Sequence, residues 1–314
     1  MSTIPRPNPS ALPEEYLALV DDAAIFPPGN APLPRAVEEH RSHRAAAHAG
    51  LLGPFVVSDT RLPELIGLLQ GDPSSQETAP PFAVSVVVTG GAGAIEPAVR
   101  WAGREDCLEL RAVEVALRDE ADLEHNARRM TTAVDQLVTD GYLGGAADVY
   151  VEPPRLFDGP PGHSWLAALD EVAAMDLRLK FRTGGDSEDA FPTAKELATC
   201  IEASLDRELP FKCTAGLHNA VRHRDPETGF EHHGFLNVLL ATRASLDGAD
   251  TDRVVAVLEL TEPAELRRLI EDAGPASLAS ARRWFTSFGS CSVREPLQDL
   301  VHLDLLPDLP LEPA

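Results

Sequence analysis

Lysine is almost absent from this chain, which makes two of its positions conspicuous. Only three of the 27 basic residues are lysines: Lys180, Lys195 and Lys212. Two of them lie inside short apolar stretches, "LRLKFRTGG" at 177–185 and "PFKCTAG" at 210–216. Arginine binds anions as well as lysine does, but its guanidinium keeps its proton at any useful pH. Lysine alone can lose a proton, attack a carbonyl carbon and form a Schiff base. Removal from water and a nearby cation both lower an amine's pKa, so two buried lysines side by side would suit one of them to be a nucleophile. Lys195 falls in a helix, where solvent keeps an amine charged, and serves as the internal contrast.

Side chains alternate faces along a strand. In "DVYVEP" at 148–153, Tyr150 and Glu152 share a face; in "LRLKFRTGG", Arg178, Lys180 and Arg182 do; in "PFKCTAG", Lys212 and Thr214 do. The other faces carry Val149, Val151, Leu179, Phe181, Phe211 and Cys213, which suit contact with helices. Three consecutive strands thus aim ionisable groups at one interior. Two lysines and an arginine against Glu152 leave surplus positive charge, which predicts a small anionic substrate, because an unpaired charge in a packed interior is costly. Arg182, Thr183, Gly184 and Gly185, with Thr214 and Arg222, are the candidates to bind it, through a planar donor fork and turn N–H groups. The simpler alternative is a structural ion pair between Glu152 and Lys180.

Histidines make a second group. His218 and His223 bracket the segment after "PFKCTAG", and "EHHG" supplies Glu231, His232 and His233. His218 directly follows the strand end and is a candidate proton carrier or substrate-orienting group. The spacing of His218, His223, His232 and His233 fits no metal motif such as HExxH, so they are weak metal candidates and none is expected. Cys213 reads as a packed thiol, and Ser290 and Cys291 in "FGSCS" have no adjacent base in sequence.

These residues need elements to hold them. Short apolar runs alternate with helical segments along the chain, the pattern of a parallel sheet covered by helices. Strands, with the turns that end them, are predicted within 21–29, 53–59, 81–91, 107–117, 147–154, 177–185, 210–216 and 253–260, the last being "RVVAVLEL". Helices are predicted over 12–20, 35–50, 60–71, 121–139, 163–175, 193–206 and, as an amphipathic segment, 234–248. Thr193 and Glu196 have capping-box spacing. Residues 71–81 read as a polar, Pro-rich loop. Eight such units over ~250 residues predict an α/β fold of the (β/α)8 TIM-barrel type, with an open doubly wound parallel sheet as the alternative. The chain reads as one domain, its barrel over about 20–262 and a C-terminal extension over 263–314 packing on one end.

The run from "VYVEPP" through "LKFRTGG" to "FKCTAG" resembles deoxyribose-phosphate aldolase and its class I aldolase relatives over residues 148–217. That family has a glutamate-bearing strand, a lysine strand ending in Lys-x-x-Thr-Gly, and a second lysine strand ending in small residues. The resemblance implies that Lys180 forms the Schiff base, that Lys212 lowers its pKa, and that Gly184 and Gly185 lie beside a phosphate group. Arg182 stands where the family has a small hydroxyl residue, and "LHNAVRH" replaces its glycine-led phosphate turn. Glu109, Glu114 and Glu152 are the candidates for the proton-transferring carboxylate.

Composition narrows the function classes. The net charge of −23 over 314 residues argues against nucleic acid and against anionic membranes as partners. Hydrophobic residues at 44% and charged residues at 25% fit a globular protein. No apolar run approaches the ~20 residues that cross a bilayer, the start of the chain lacks a secretory pattern, and four scattered cysteines suit a reducing cytoplasm. No GxGxxG or Walker sequence is present and no cofactor is expected. A homo-oligomer is compatible with all of this. The sequence therefore predicts a barrel enzyme acting on a small anionic carbonyl compound or sugar phosphate, a lyase of aldolase type working through a lysine Schiff base, with Lys180, Lys212, Glu152 and His218 catalytic. The alternatives are a non-covalent isomerase, epimerase or decarboxylase in the same pocket, a metal-dependent hydrolase built on the histidines, and a non-catalytic metabolite-binding barrel.

Overall fold

Valine, phenylalanine and leucine dominate the predicted strands, and such residues favour the pleated, two-sided burial of a parallel sheet. In the computed structural model, which describes residues 12–71, 80–118, 121–145, 147–157 and 159–307, these strands close into a barrel. The elements run β1 (Val20–Asp22), α1 (Leu33–Ala45), β2 (Leu52–Ser58), α2 (Leu62–Gly71), β3 (Phe82–Val88), α3 (Ala92–Ala102), β4 (Leu108–Ala116), α4 (Leu123–Thr139), β5 (Asp148–Glu152), α5 (His163–Ala173), β6 (Arg178–Arg182), α6 (Ala194–Leu205) and β7 (Phe211–Thr214). A small hairpin follows, β8 (His223–Arg224) and β9 (Glu231–His232), then α7 (Phe235–Leu246), α8 (Thr251–Leu258), α9 (Pro263–Ala273), α10 (Pro275–Arg282), β10 (Phe285–Ser290) and α11 (Arg294–His302). The barrel order is β1-β2-β3-β4-β5-β6-β7-β10, every pairing is parallel, and β10 pairs back onto β1. That closure makes the fold a (β/α)8 barrel and sets aside the open sheet.

The eighth strand is not where periodicity placed it. "RVVAVLEL" forms α8, with Asp250 accepting from the Arg253 N–H as its N-cap and Val254, Val257 and Leu258 on the buried side. The strand that closes the barrel is "FTSFGS", inside the segment expected to be a C-terminal extension, so the barrel runs to Ser290. Four helices, α7 to α10, separate β7 from it. They pack on one another, and this buries α7 on every face from Phe235 to Thr242 where an amphipathic helix was expected. Residues 12–20 hold a single 3-10 turn at Glu14–Tyr16 and no α-helix. The loop expected at 71–81 falls, at 72–79, outside the described residues.

Two features fix the strand ends. Arg282 bridges the closing seam at the lower end of the barrel: Nε donates to the Glu15 carbonyl at 3.0 Å and Nη2 to that of Leu17 at 2.9 Å, while Nη1 donates to the carbonyls of Phe285 and Thr286. At the upper end, Thr193 caps α6 as its spacing with Glu196 predicts: Thr193 Oγ1 accepts from the Glu196 N–H, and the Glu196 carboxylate takes a bidentate pair from Arg155 (2.6 Å each) and the Leu156 N–H (2.8 Å), tying the chain after β5 to α6. No helix among the described residues is long and apolar enough to cross a membrane.

Candidate active site in the barrel lumen

β6 and β7 pair with Lys180 directly opposite Lys212. Both side chains enter the lumen, and both are almost completely buried, at 3% and 1% exposure. Lys180 Nζ lies 2.7 Å from Glu152 Oε2 on β5 and 3.1 Å from Glu114 Oε2 on β4. Lys212 Nζ lies 2.6 Å from Glu114 Oε1 and 2.5 Å from Asp21 Oδ2 on β1. Glu114 is therefore shared by the two amines. Hydroxyls complete the set: Ser85 on β3 donates to Glu114 at 2.6 Å, and Ser287 on β10 donates to Asp21 at 2.8 Å. Arg182 Nε reaches Glu152 Oε1 at 2.9 Å. The layer is packed to its limits at one side, where a Cβ at Gly53 would stand 2.0 Å from Asp21 Oδ1. Below it, Tyr150 places its ring 5.2 Å from Lys212 Nζ and its hydroxyl 3.0 Å from that of Thr286.

Lys180, Lys212 and Arg182 thus meet Asp21, Glu114 and Glu152, three cations against three carboxylates. The surplus positive charge expected from β5, β6 and β7 alone is absent, because β1 and β4 supply two carboxylates from distant parts of the chain. The expected fall in the lysine pKa values is absent for the same reason. Burial works to lower both amines, but Glu152 and Glu114 outweigh it at Lys180, and Asp21 and Glu114 outweigh it more strongly at Lys212, so both are held above the ordinary lysine value. Burial also works to raise Glu114, and Lys212 and Lys180 overcome it, holding this carboxyl far below the usual range. Glu152 is likewise lowered, by Lys180 and Arg182 against burial.

The upper residues divide. Arg182, with 44% of its side chain exposed, projects at the mouth above Glu152 and keeps guanidinium N–H groups beyond its Nε contact. Thr214 is half-buried at the end of β7. Thr183 is fully buried, and its hydroxyl is engaged with the carbonyls of Thr214, at 3.1 Å, and Ala215. Gly184 serves packing: a Cβ there would come 2.8 Å from Gly216 Cα and 2.8 Å from the Phe191 ring. Gly185 is exposed beside Ala190.

The histidine segment lies apart from the lysines. His218 Nδ1 pairs with Glu295 Oε2 at 2.8 Å, in the first turn of α11. Arg222 lies 3.2 Å from His233 Nδ1 and 3.6 Å from Glu231. His233 is fully buried with Nε2 2.8 Å from the Pro192 carbonyl, and burial pushes it down to about 3, which keeps it neutral. His223 and His232 face each other across the β8–β9 hairpin. No three histidine, cysteine or acidic side chains among the described residues converge as a metal-binding set.

Local sequence reasoning does not place Asp21, Ser85 or Ser287 in this layer, and it leaves Glu114 as one of three candidates. A partial signal existed in "VDDA" at 20–23, where a strand with two consecutive acids at its end must point one of them inward. The second, Asp22, turns outward and pairs with the buried His40 of α1 at 2.9 Å. No protein-family model matches the chain, and a search of curated proteins finds no match either.

Proposed function

We propose that the barrel is an enzyme acting on a small carbonyl compound that carries an anionic group, a carbon–carbon lyase of aldolase type working through an imine on Lys180. The observation that carries this reading is the position of Lys180 between Glu152 and Glu114, directly beneath the half-exposed Arg182. Glu152, 2.7 Å from Lys180 and paired with Arg182 at the mouth, is placed to take the proton of Lys180 as a carbonyl arrives. The amine nitrogen then bonds to the carbonyl carbon and the oxygen leaves as water. The resulting iminium carries the same charge as the ammonium it replaces, so the carboxylates that hold Lys180 charged at rest also stabilise the intermediate. Lys212 keeps Glu114 ionised throughout. The free N–H groups of Arg182 would hold the anionic group of the substrate.

A second reading is favoured by the raised pKa of Lys180. An amine that stays charged can stabilise an enolate without bonding to it, which is the chemistry of an isomerase, epimerase or decarboxylase in the same pocket. One experiment separates the two. The protein is treated with borohydride in the presence of small aldehydes, ketones and sugar phosphates, and the products are read by intact mass and peptide mapping. An adduct on Lys180, lost in Lys180→Arg and reduced in Glu152→Gln, supports the imine. Deuterium uptake beside the carbonyl in D2O without an adduct supports the second reading. An inert panel on both readouts overturns the enzymatic assignment and leaves a metabolite-binding barrel.

A further inference from the structure

Cys291 directly follows β10, and in sequence it has no base near it. The fold brings one from 73 residues away: Cys291 Sγ lies 3.7 Å from His218 Nε2 and 3.8 Å from Nδ1. His218 Nδ1 is in turn fixed by Glu295 Oε2 at 2.8 Å. A thiol, a base beside it and a carboxylate orienting the base are the three parts of an activated nucleophile. The β1–α1 loop closes over the thiol, since a Cβ at Gly29 would stand 2.8 Å from Cys291 Cβ and 3.2 Å from Sγ. On its open side lies a cavity of about 230 Å³ lined by Cys291, Asp22, Arg35, Glu39, His43 and Arg294. Arg35 is paired with Glu39 at 2.9 Å, while Arg294 makes no ion pair among the described residues.

We propose that Cys291, His218 and Glu295 form a second site, in which the Cys291 thiolate adds reversibly to a small carbonyl compound bearing a carboxylate or phosphate. The sulfur forms a bond to the carbonyl carbon, the π bond opens onto oxygen, and that oxygen takes the proton held by His218; reversal restores both partners, and no oxidant is needed. Arg294 supplies the charge that selects an anionic compound, and the cavity size limits it to about nine heavy atoms on the scale of a cavity that holds benzene. His218 is suited to its role because, against the effect of burial, Cys291 and Glu295 raise it to about 9, so it carries its proton at neutral pH. The charged and titratable groups facing Cys291 are His218 and Glu295 on one side and Asp22, Arg35, Glu39, His43 and Arg294 across the cavity. The site does not depend on the lysine layer.

The test is the alkylation rate of each cysteine by iodoacetamide between pH 5 and 9, read by peptide mapping. Cys107, half-buried, is the internal standard for reagent and time; burial and Glu105 hold its thiol above the ordinary value, so the Cys291 rate is also read against its own variants. An ordinary thiol with a pKa of about 8.5 is only ~0.3% thiolate at pH 6. Cys291 is expected to react at least tenfold faster than Cys107 at pH 6. That rate is expected to fall about tenfold in His218→Gln and severalfold in Glu295→Gln, whose side chain is half-exposed and tolerates the change. Glyoxylate, an aldehyde with a carboxylate, is expected to protect Cys291 where acetaldehyde does not, and Arg294→Gln to weaken that protection. A Cys291 rate that climbs with pH like that of Cys107 and ignores both variants overturns the activated thiol. Equal effects of glyoxylate and acetaldehyde, or none from either, overturn the anionic carbonyl ligand. Mapping separates this outcome from the Lys180 trapping, so the two proposals fail independently.

Discussion

Replacing Glu114 by glutamine removes one negative charge from the centre of the lumen and leaves its shape almost unchanged. Glu114 is 1% exposed and is the carboxylate shared by Lys180 and Lys212, so the variant leaves three cations facing two carboxylates inside the barrel. Removing one member of a buried ion pair costs about 3–5 kcal/mol, because the remaining charge is neither solvated nor paired. At about 2.1 cal/mol/K per residue the unfolding entropy of a chain this size is roughly 0.7 kcal/mol/K, so the loss corresponds to a drop of about 5–8 °C in Tm. Differential scanning calorimetry at pH 7 measures it directly. The pH dependence provides a sharper check. The folded pKa of Glu114 is depressed below its ordinary 4.5, so its contribution is present above that value and is lost as pH falls. The gap between wild type and Glu114→Gln should therefore narrow steadily below about pH 4.5. Adding Lys212→Met restores the balance of charge, and the double variant should be less destabilised than the sum of the single ones by ~2 kcal/mol or more. A Tm change within about 1 °C at pH 7, or a gap that is unchanged at pH 3, would refute the account of the lumen as one coupled layer.

Three other outcomes follow from named contacts. Gly184→Ala should cost about 1–3 kcal/mol in urea unfolding, since its Cβ would press on the backbone of Gly216 at 2.8 Å and that backbone has little room to retreat. Gly53→Ala should displace Asp21 from Lys212 and be more damaging than Gly184→Ala, because the intruding methyl would overlap Asp21 Oδ1 at 2.0 Å; soluble yield and Tm measure it. The His218 ring should titrate near 9 by NMR and fall towards 6.5 in Glu295→Gln. Because its folded pKa is raised, its stabilising contribution is complete below about pH 6.5 and disappears as pH rises through 9.

The lysine face of the barrel was legible because β5, β6 and β7 keep strict alternation: Tyr150, Glu152, Arg178, Lys180, Arg182, Lys212 and Thr214 all sit on the face that the period of two assigns them. The eighth strand was not legible, because "RVVAVLEL" is a short apolar run in which periodicity does not separate a helix from a strand, while "FTSFGS" carries only two large apolar residues among small and polar ones. Length decided it physically. Four helices after β7 cover one sector of the barrel, and the chain can return to the open edge between β7 and β1 only after them.

The partners of the lysines were hidden by a different cause, and it changes what the lysines mean. Counting alternation from Leu108 and Leu110 puts Glu114 on their side of β4, facing the helices. The register against β3 slips there: Val84 pairs with Leu110 but Ser85 pairs with Ala112, so Arg111 is an extra residue and the phase of the strand inverts. The bulge turns Ala112, Glu114 and Ala116 inward and leaves Val113 and Val115 for the helices. Asp21 is equally out of reach of local reasoning, 191 residues before Lys212. A lysine pair without these carboxylates would be a depressed-pKa nucleophile awaiting an anion; with them it is a neutral, fully satisfied layer whose amines are charged at rest. Chemistry at Lys180 must then begin with a proton passing to a carboxylate, and Glu152 is the one that stands between the amine and the mouth. Glu152→Gln is accordingly expected to lower the rate of imine trapping on Lys180 most at low pH, where free base is scarcest, and a rate loss that is uniform from pH 6 to 9 would remove Glu152 from the proton path.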